Sequence, residues 1–201
     1  MGIQHHAKAP TSLFWPMATA FGALWGAVEI TLGSFLHMLK IPFGGAILAS
    51  LGAALLIAQR QVLPQRGLSM VTALIAALCK SLSPGGVILG PMIGITMEGL
   101  LVELALLVSS RFIGCAILAG MLAAMWTVFH KLLSSFVFYG MTLIELYVAV
   151  LQKAGQWLGH EGAGWWMALL FVGIISSIGA IGGIFGWRVG QDAARSLEIP
   201  P

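Results

Sequence analysis

The sequence predicts an all-α integral membrane bundle of six transmembrane helices with both termini in the cytoplasm. Hydrophobic residues make up 59% of the chain and charged residues 8%, with a mean hydropathy of +0.96, against roughly 25% charged residues in a soluble domain. Apolar runs recur at close to the ~20 residues that a helix needs to cross a hydrocarbon core of about 30 Å. Arginine falls only in alternate connections between those runs or at and beyond the end of the last, as orientation by cytoplasmic positive charge requires.

The first run, Ser12 to His37, follows Lys8; its length, the internal Glu29 and the want of a small-residue cleavage site read as a retained helix rather than a signal peptide. Pro42 to Ala58 and Gly67 to Leu82 are shorter runs, with Arg60 and Arg66 between them. Ser83, Pro84, Gly85 and Gly86 then interrupt the helical ladder before the fourth run, Val87 to Val108. A tight hairpin accounts for Pro84 to Gly86 alone. Pro91, with Gly90 and Gly94, extends the expectation of irregular backbone into the fourth run itself, tolerable at membrane depth where it is shielded by protein or lines a polar cavity. Free amides at that helix start, with Lys80 beside them, suit an anionic group.

The fifth run is Phe112 to Phe138 and the sixth Trp165 to Val189. Between them, Tyr139 to Trp157 is apolar enough to suggest another crossing, but Glu145, Lys153, Gly140 and Gly155 shorten its uninterrupted part. A seventh span would also carry Arg188 and Arg195 outside. The segment therefore reads as an outer amphipathic or partly re-entrant helix. Lys8, Arg60, Arg66, Arg111, Arg188 and Arg195 are then cytoplasmic, and Lys40 and Lys153 external. The tails, residues 1–11 and 191–201, are too short for another domain, so residues 1–201 form a single membrane domain in the cell membrane.

Several chemistries have no residues to carry them. The chain contains no GxxxxGK[ST] loop, no HExxH, no paired CxxC and no GxSxG. Cys79 and Cys115 are placed near opposite ends of neighbouring spans, which separates them too far for a disulfide. Cys79 precedes Lys80, which can lower a thiol pKa, although burial for packing is the commoner role of a free cysteine. Of the histidines only His37 and His130 come into question as axial haem ligands. No catalytic residue, metal or cofactor is expected. The net charge of +3 follows from topology and gives no support to nucleic-acid binding.

The 26 glycines imply many close helix approaches. In the first run Ala18, Gly22 and Gly26 recur every four residues, beside a second stripe of Ala23 and Ala27. In the last, Gly179 with Gly183 and Gly182 with Gly186 and Gly190 make two more. Such faces allow van der Waals contact where lipid supplies no hydrophobic driving force, and internal packing explains any single stripe. The doubled stripe on the first run exceeds one internal contact, which makes Gly22, Ala23, Gly26 and Ala27 candidate partner-binding residues.

Intramembrane charges are the sharper signal, since each costs about 2.5 to 3.5 kcal/mol at mid-membrane on insertion scales. Glu29 falls in the outer half of the first helix, one turn above Trp25, and Lys80 ends the third. Glu98 lies near the middle of the fourth, with Glu103 deeper, and Trp126, His130 and Lys131 occupy the outer half of the fifth. Trp25, Glu29, Lys80, Glu98, Trp126, His130 and Lys131 are therefore the candidate substrate-binding residues of an outward-facing pocket, an aromatic wall with a few convergent polar groups. Lys80 would meet an anionic part of a ligand, Glu29 and Glu98 a cationic part, and the aromatic residues its ring. The plainer alternative pairs Glu29 or Glu98 with Lys80 or Lys131 to hold helices together, and lets His130 and Lys131 mark the membrane boundary.

Six helices with cytoplasmic termini, about 200 residues, the Ala23 to Ala27 spacing and an outer pocket together resemble the substrate-binding membrane component of energy-coupling factor transporters. The resemblance implies capture of a small vitamin-like nutrient outside the cell and association with a transmembrane coupling protein and two separate ATPases. It also implies that Ala23 and Ala27 dock to that coupling protein. Two other classes fit the residues alone. One is a non-catalytic assembly subunit of a larger membrane complex. The other is an ion-coupled carrier using Glu98 or Glu103, for which no inverted repeat is visible.

Overall fold

The computed structural model describes residues 11–39, 41, 43–82, 89–140, 145, 148, 149, 153 and 164–197. A 3-10 turn, Thr11–Leu13, leads into α1 (Phe14–Met38), followed by α2 (Gly44–Val62), α3 (Leu68–Ser81), α4 (Leu89–Leu106), α5 (Ile113–Tyr139) and α6 (Gly164–Leu197). Five of these are long and apolar enough to cross a membrane, and the exception, α3, has 14 residues. At 1.5 Å per residue α3 spans only about 21 Å. The chain is thus an all-α multi-pass membrane bundle. The outer helix expected over Tyr139 to Trp157 falls, apart from its first residues and a few isolated positions, outside the described residues.

The helices close a ring in which α1 packs on α3, α3 on α4, α4 on α5, α5 on α6, α6 on α2 and α2 on α1. α2 also leans inward against α3, α4 and α5. Gln59 Nε2 donates to the Met17 carbonyl at 3.0 Å, Trp187 Nε1 to that of Arg111 at 3.0 Å, and Gln61 to that of Ser110. These contacts gather the starts of α1 and α5 and the ends of α2 and α6 at one end of the bundle. Every arginine of the sequence lies toward that end, as alternate loop placement predicts.

Close approach of backbones explains the glycine pattern. A Cβ at Gly120 of α5 would stand 2.1 Å from the Gly179 carbonyl oxygen, and one at Gly183 2.3 Å from that of Ala116, so this pair of glycines in α6 faces α5. Gly182, Gly186 and Gly190 face α2 instead, against Ser50, Ala54 and Ala58. Ser50 Oγ adds a hydrogen bond to the Ile178 carbonyl at 2.9 Å. The two small stripes of α6 thus serve two different neighbours, which is why one helix needs both.

The doubled stripe of α1 divides differently. Gly22 and Gly26 are buried against α3, where added Cβ atoms would meet Ile75 Cβ at 2.7 Å and Cys79 Cβ at 2.5 Å. These glycines are consumed by internal packing, which corrects their assignment to a partner. Ala23 and Ala27, on the stripe beside them, are exposed.

Two further expectations need correction. α4 runs unbroken from Leu89 through Gly90, Pro91 and Gly94 to Leu106, so these residues create no irregular backbone. Pro91 stands in the first turn of the described helix, where a missing N–H costs little. Arg60 is not in an exposed loop: α2 continues past it to Val62, and Arg60 is 3% exposed. Its Nη2 lies 3.5 Å from Glu103 Oε1. Glu103 in turn accepts hydrogen bonds from Gly67 N at 2.7 Å and Ser69 N at 3.1 Å, capping the amino end of α3 where unpaired N–H groups favour a carboxylate. Gly67, with φ of +82°, supplies the left-handed turn into that helix.

Glu103→Gln is expected to destabilise the bundle by about 3 to 5 kcal/mol, because it leaves a buried cation without its partner. The measurement is the unfolding midpoint in detergent. Arg60→Met added to the same chain should recover part of the loss, and no recovery would show that helix capping, not charge pairing, is what Glu103 contributes.

Candidate functional site

At the end away from the arginines, α1, α2, α4 and α5 enclose a cavity of about 270 Å³. Helical geometry sets its wall on α4, where Gly90, Gly94 and Glu98 recur every four residues along one face, with Pro91 and Ile95 beside them. α5 contributes Trp126, Thr127 and His130, α1 contributes Glu29, and α2 contributes Gly45 and Leu48. A Cβ built on Gly94 meets nothing within 4 Å, and one on Gly90 only His130 Cε1 at 3.9 Å. The glycines keep this side of the cavity flat and open.

The aromatic side is ordered by ring contacts. The Trp126 and His130 rings lie 6.0 Å apart at 36°, and Phe129 backs Trp126 at 5.3 Å. Thr127 Oγ1 donates to the Ala124 carbonyl at 2.8 Å, so its hydroxyl proton is already engaged.

The two carboxylates of the wall differ in their surroundings. Glu29, 8% exposed, has Lys80 for company: Lys80 Nζ donates to the Glu29 carbonyl at 2.7 Å and lies 4.0 Å from Glu29 Oε2. Glu98, 6% exposed, has no cation within salt-bridge distance among the described residues, and its Oε2 is buried with no hydrogen-bond partner. Trp126 Nε1 is buried and unpartnered as well. Leaving such a group unpaired costs about 1 to 3 kcal/mol, and native structures keep few of them. Here one acceptor and one donor share a single cavity.

Of the residues singled out from sequence, Glu29, Glu98, Trp126 and His130 come together on this wall. Lys80 stands behind Glu29, holding it rather than facing the cavity. Trp25 is fully buried in the core against Gly52, where a Cβ would meet its indole at 2.5 Å, and does not line the cavity. Lys131 is exposed and also lies off the wall. Sequence reasoning missed Gly45, Leu48, Ile95 and Thr127. Only the i, i+1, i+4 spacing of Trp126, Thr127 and His130 could have signalled the last of these, since small and aliphatic residues in an apolar helix carry no mark of a cavity.

Among the described residues no group of three or more His, Cys, Asp or Glu side chains is placed to hold a metal ion. Comparison with protein-family models, curated proteins and solved structures finds no match to the chain.

Proposed function

We propose that this chain is the substrate-binding membrane component of an ATP-driven uptake transporter of the cell membrane, capturing a small vitamin-like nutrient in an outward-facing pocket. The observation that supports it is the cavity at the end opposite the arginines, lined by a flat glycine face and by Glu98 and Trp126, each of which has a buried polar atom without a hydrogen-bond partner among the described residues. If arginines mark the cytoplasm, the cavity belongs to the outer half of the membrane. Its size suits a small molecule: about 270 Å³ lies just under the roughly 300 Å³ at which drug-sized pockets begin. The chain carries no nucleotide-binding motif, so energy would come from separate ATPases through a transmembrane coupling protein.

The test is to purify the chain from its native membrane, identify co-purifying small molecules by mass spectrometry, and assay the same preparation for ATPase subunits. Recovery of neither would remove the reading. For the partner surface, Ala23→Leu and Ala27→Leu place bulk on an exposed face of α1, where close helix contact depends on small side chains. Both are expected to reduce co-purification of the coupling protein while ligand binding and folding stay unchanged. Normal assembly in both variants would place docking elsewhere.

A second reading, an ion-coupled carrier, is favoured by Glu98 alone. Glu103 is held by Arg60 and two backbone N–H groups, which leaves Glu98 as the intramembrane carboxylate free of such ties. Uptake that stops when the ion gradient is collapsed at constant ATP would support that reading over the first.

A further inference from the structure

We infer that the cavity selects a small organic cation: a flat ring bearing an ammonium or amidinium group, whose N–H donates to the Glu98 carboxyl group while the ring lies against Trp126. The inference deepens the capture reading and rests on it. Its basis is the charge of the wall. Glu29 and Glu98 both face the cavity, whereas Lys80 stands behind Glu29 and Lys131 is exposed away from the site. Among the described residues the wall therefore presents two acids and no lysine or arginine, and Lys80 offsets only the first of the acids.

An anionic ligand would meet two acids and, among the described residues, neither lysine nor arginine on the wall. A neutral ligand could occupy the volume but would bring no counter-charge to the second acid, Glu98, in a low-dielectric setting. A cation supplies it, and tryptophan gives the strongest aromatic face for a cation within about 6 Å. The amino end of α4 at Gly90 works in the opposite sense, but a helix end carries only about half a charge, against the carboxyl groups of Glu29 and Glu98. The ion is organic rather than metallic because no group of three or more metal-ligating side chains occurs among the described residues, and because the wall offers a ring-sized space beside Trp126 and His130.

The test uses matched probes on the purified full chain in detergent: phenyl, pyridyl, pyrimidinyl and indolyl rings, each carried as the methylammonium, the methanol and the carboxylate. Affinities are read by calorimetry or ligand-observed NMR. The ammonium member of the preferred ring should bind at least about tenfold more tightly than its alcohol and its carboxylate, as a hydrogen bond to a charged group implies. In Glu98→Gln that preference should fall to within about threefold through loss of affinity for the ammonium member, with the unfolding midpoint not lowered. Equal affinities across a ring series, or tighter binding of carboxylates, would overturn the cation assignment while leaving the cavity a capture site. Binding of no probe in any series would overturn both. Retention of the ammonium preference in Glu98→Gln would show that another group sets the charge selection.

Discussion

Gly94→Leu is expected to abolish small-molecule binding, by a factor of about 100 or more, in a protein that still folds. The two halves of that expectation have separate causes. A Cβ at Gly94 meets no atom of the described residues within 4 Å, so the larger side chain has no such neighbour to displace at its root. Replacing glycine by leucine within a helix also gains a few tenths to about 0.8 kcal/mol of helix propensity. What the side chain does enter is a cavity of about 270 Å³, and a leucine there takes the volume a ligand ring would use. A hundredfold loss corresponds to about 2.8 kcal/mol of binding free energy, well within what steric exclusion from a small site produces. Binding of the co-purified ligand is the primary readout, with the unfolding midpoint as control. Undiminished affinity in a folded Gly94→Leu protein would move the site away from α4.

The opposite outcome, loss of the fold itself, is expected for Gly120→Leu. Here the added Cβ would stand 2.1 Å from the Gly179 carbonyl oxygen and 2.9 Å from the Gly183 amide nitrogen. Both are backbone atoms of α6, so no rotamer change relieves the overlap and the two helices must separate. Overpacking of a core costs about 1 to 3 kcal/mol and occasionally more, and two helix backbones held in register against a third place this site at the upper end. In lipid the separated helices do not regain stability from hydrophobic burial, because their attraction is largely packing. Little monodisperse protein should be recovered. Gly173→Leu is the control on the same helix, since a Cβ there meets nothing within 4 Å among the described residues, and its recovery should match the wild type. Equal yields from both variants would show that α5 and α6 are not held by this contact.

The fold class was legible because hydropathy, run length and arginine placement all report the same solvent, the bilayer. The ends of helices were less so. Arg60 was read as a loop cation because charge ordinarily marks a membrane boundary, yet α2 carries it inward to meet Glu103, a partner 43 residues further along the sequence that no local pattern discloses. Gly22 and Gly26 show the same limit: spacing identified a close-packing face on α1, but whether α3 or another protein covers it depends on the ring order of the helices. At the site, Glu29, Glu98, Trp126 and His130 were found because charge and large aromatics are rare enough to stand out in an apolar chain. Lys80 and Trp25 stood out equally and lie behind the wall. Position along a helix gives depth, and the direction in which each helix face turns is not encoded in depth.

The ties among Arg60, Glu103 and the start of α3 all sit at one end of the bundle, and the cavity sits at the other. Such a molecule resembles a clothes-peg, clamped at the arginine end, with the cavity between its jaws and Lys80 joining α1 to α3 within one of them. Thermal tilting of α1 and α4 about the clamp would widen the jaws without breaking any of the polar contacts described for Glu103. Hydrogen exchange should therefore be slow in the last turns of α2 and α4 and faster around Gly90 to Gly94, since local opening is cheapest where fewest contacts tie the backbone. Glu103→Gln should erase that gradient by loosening the clamp, and a bound ligand should slow exchange only at the jaws.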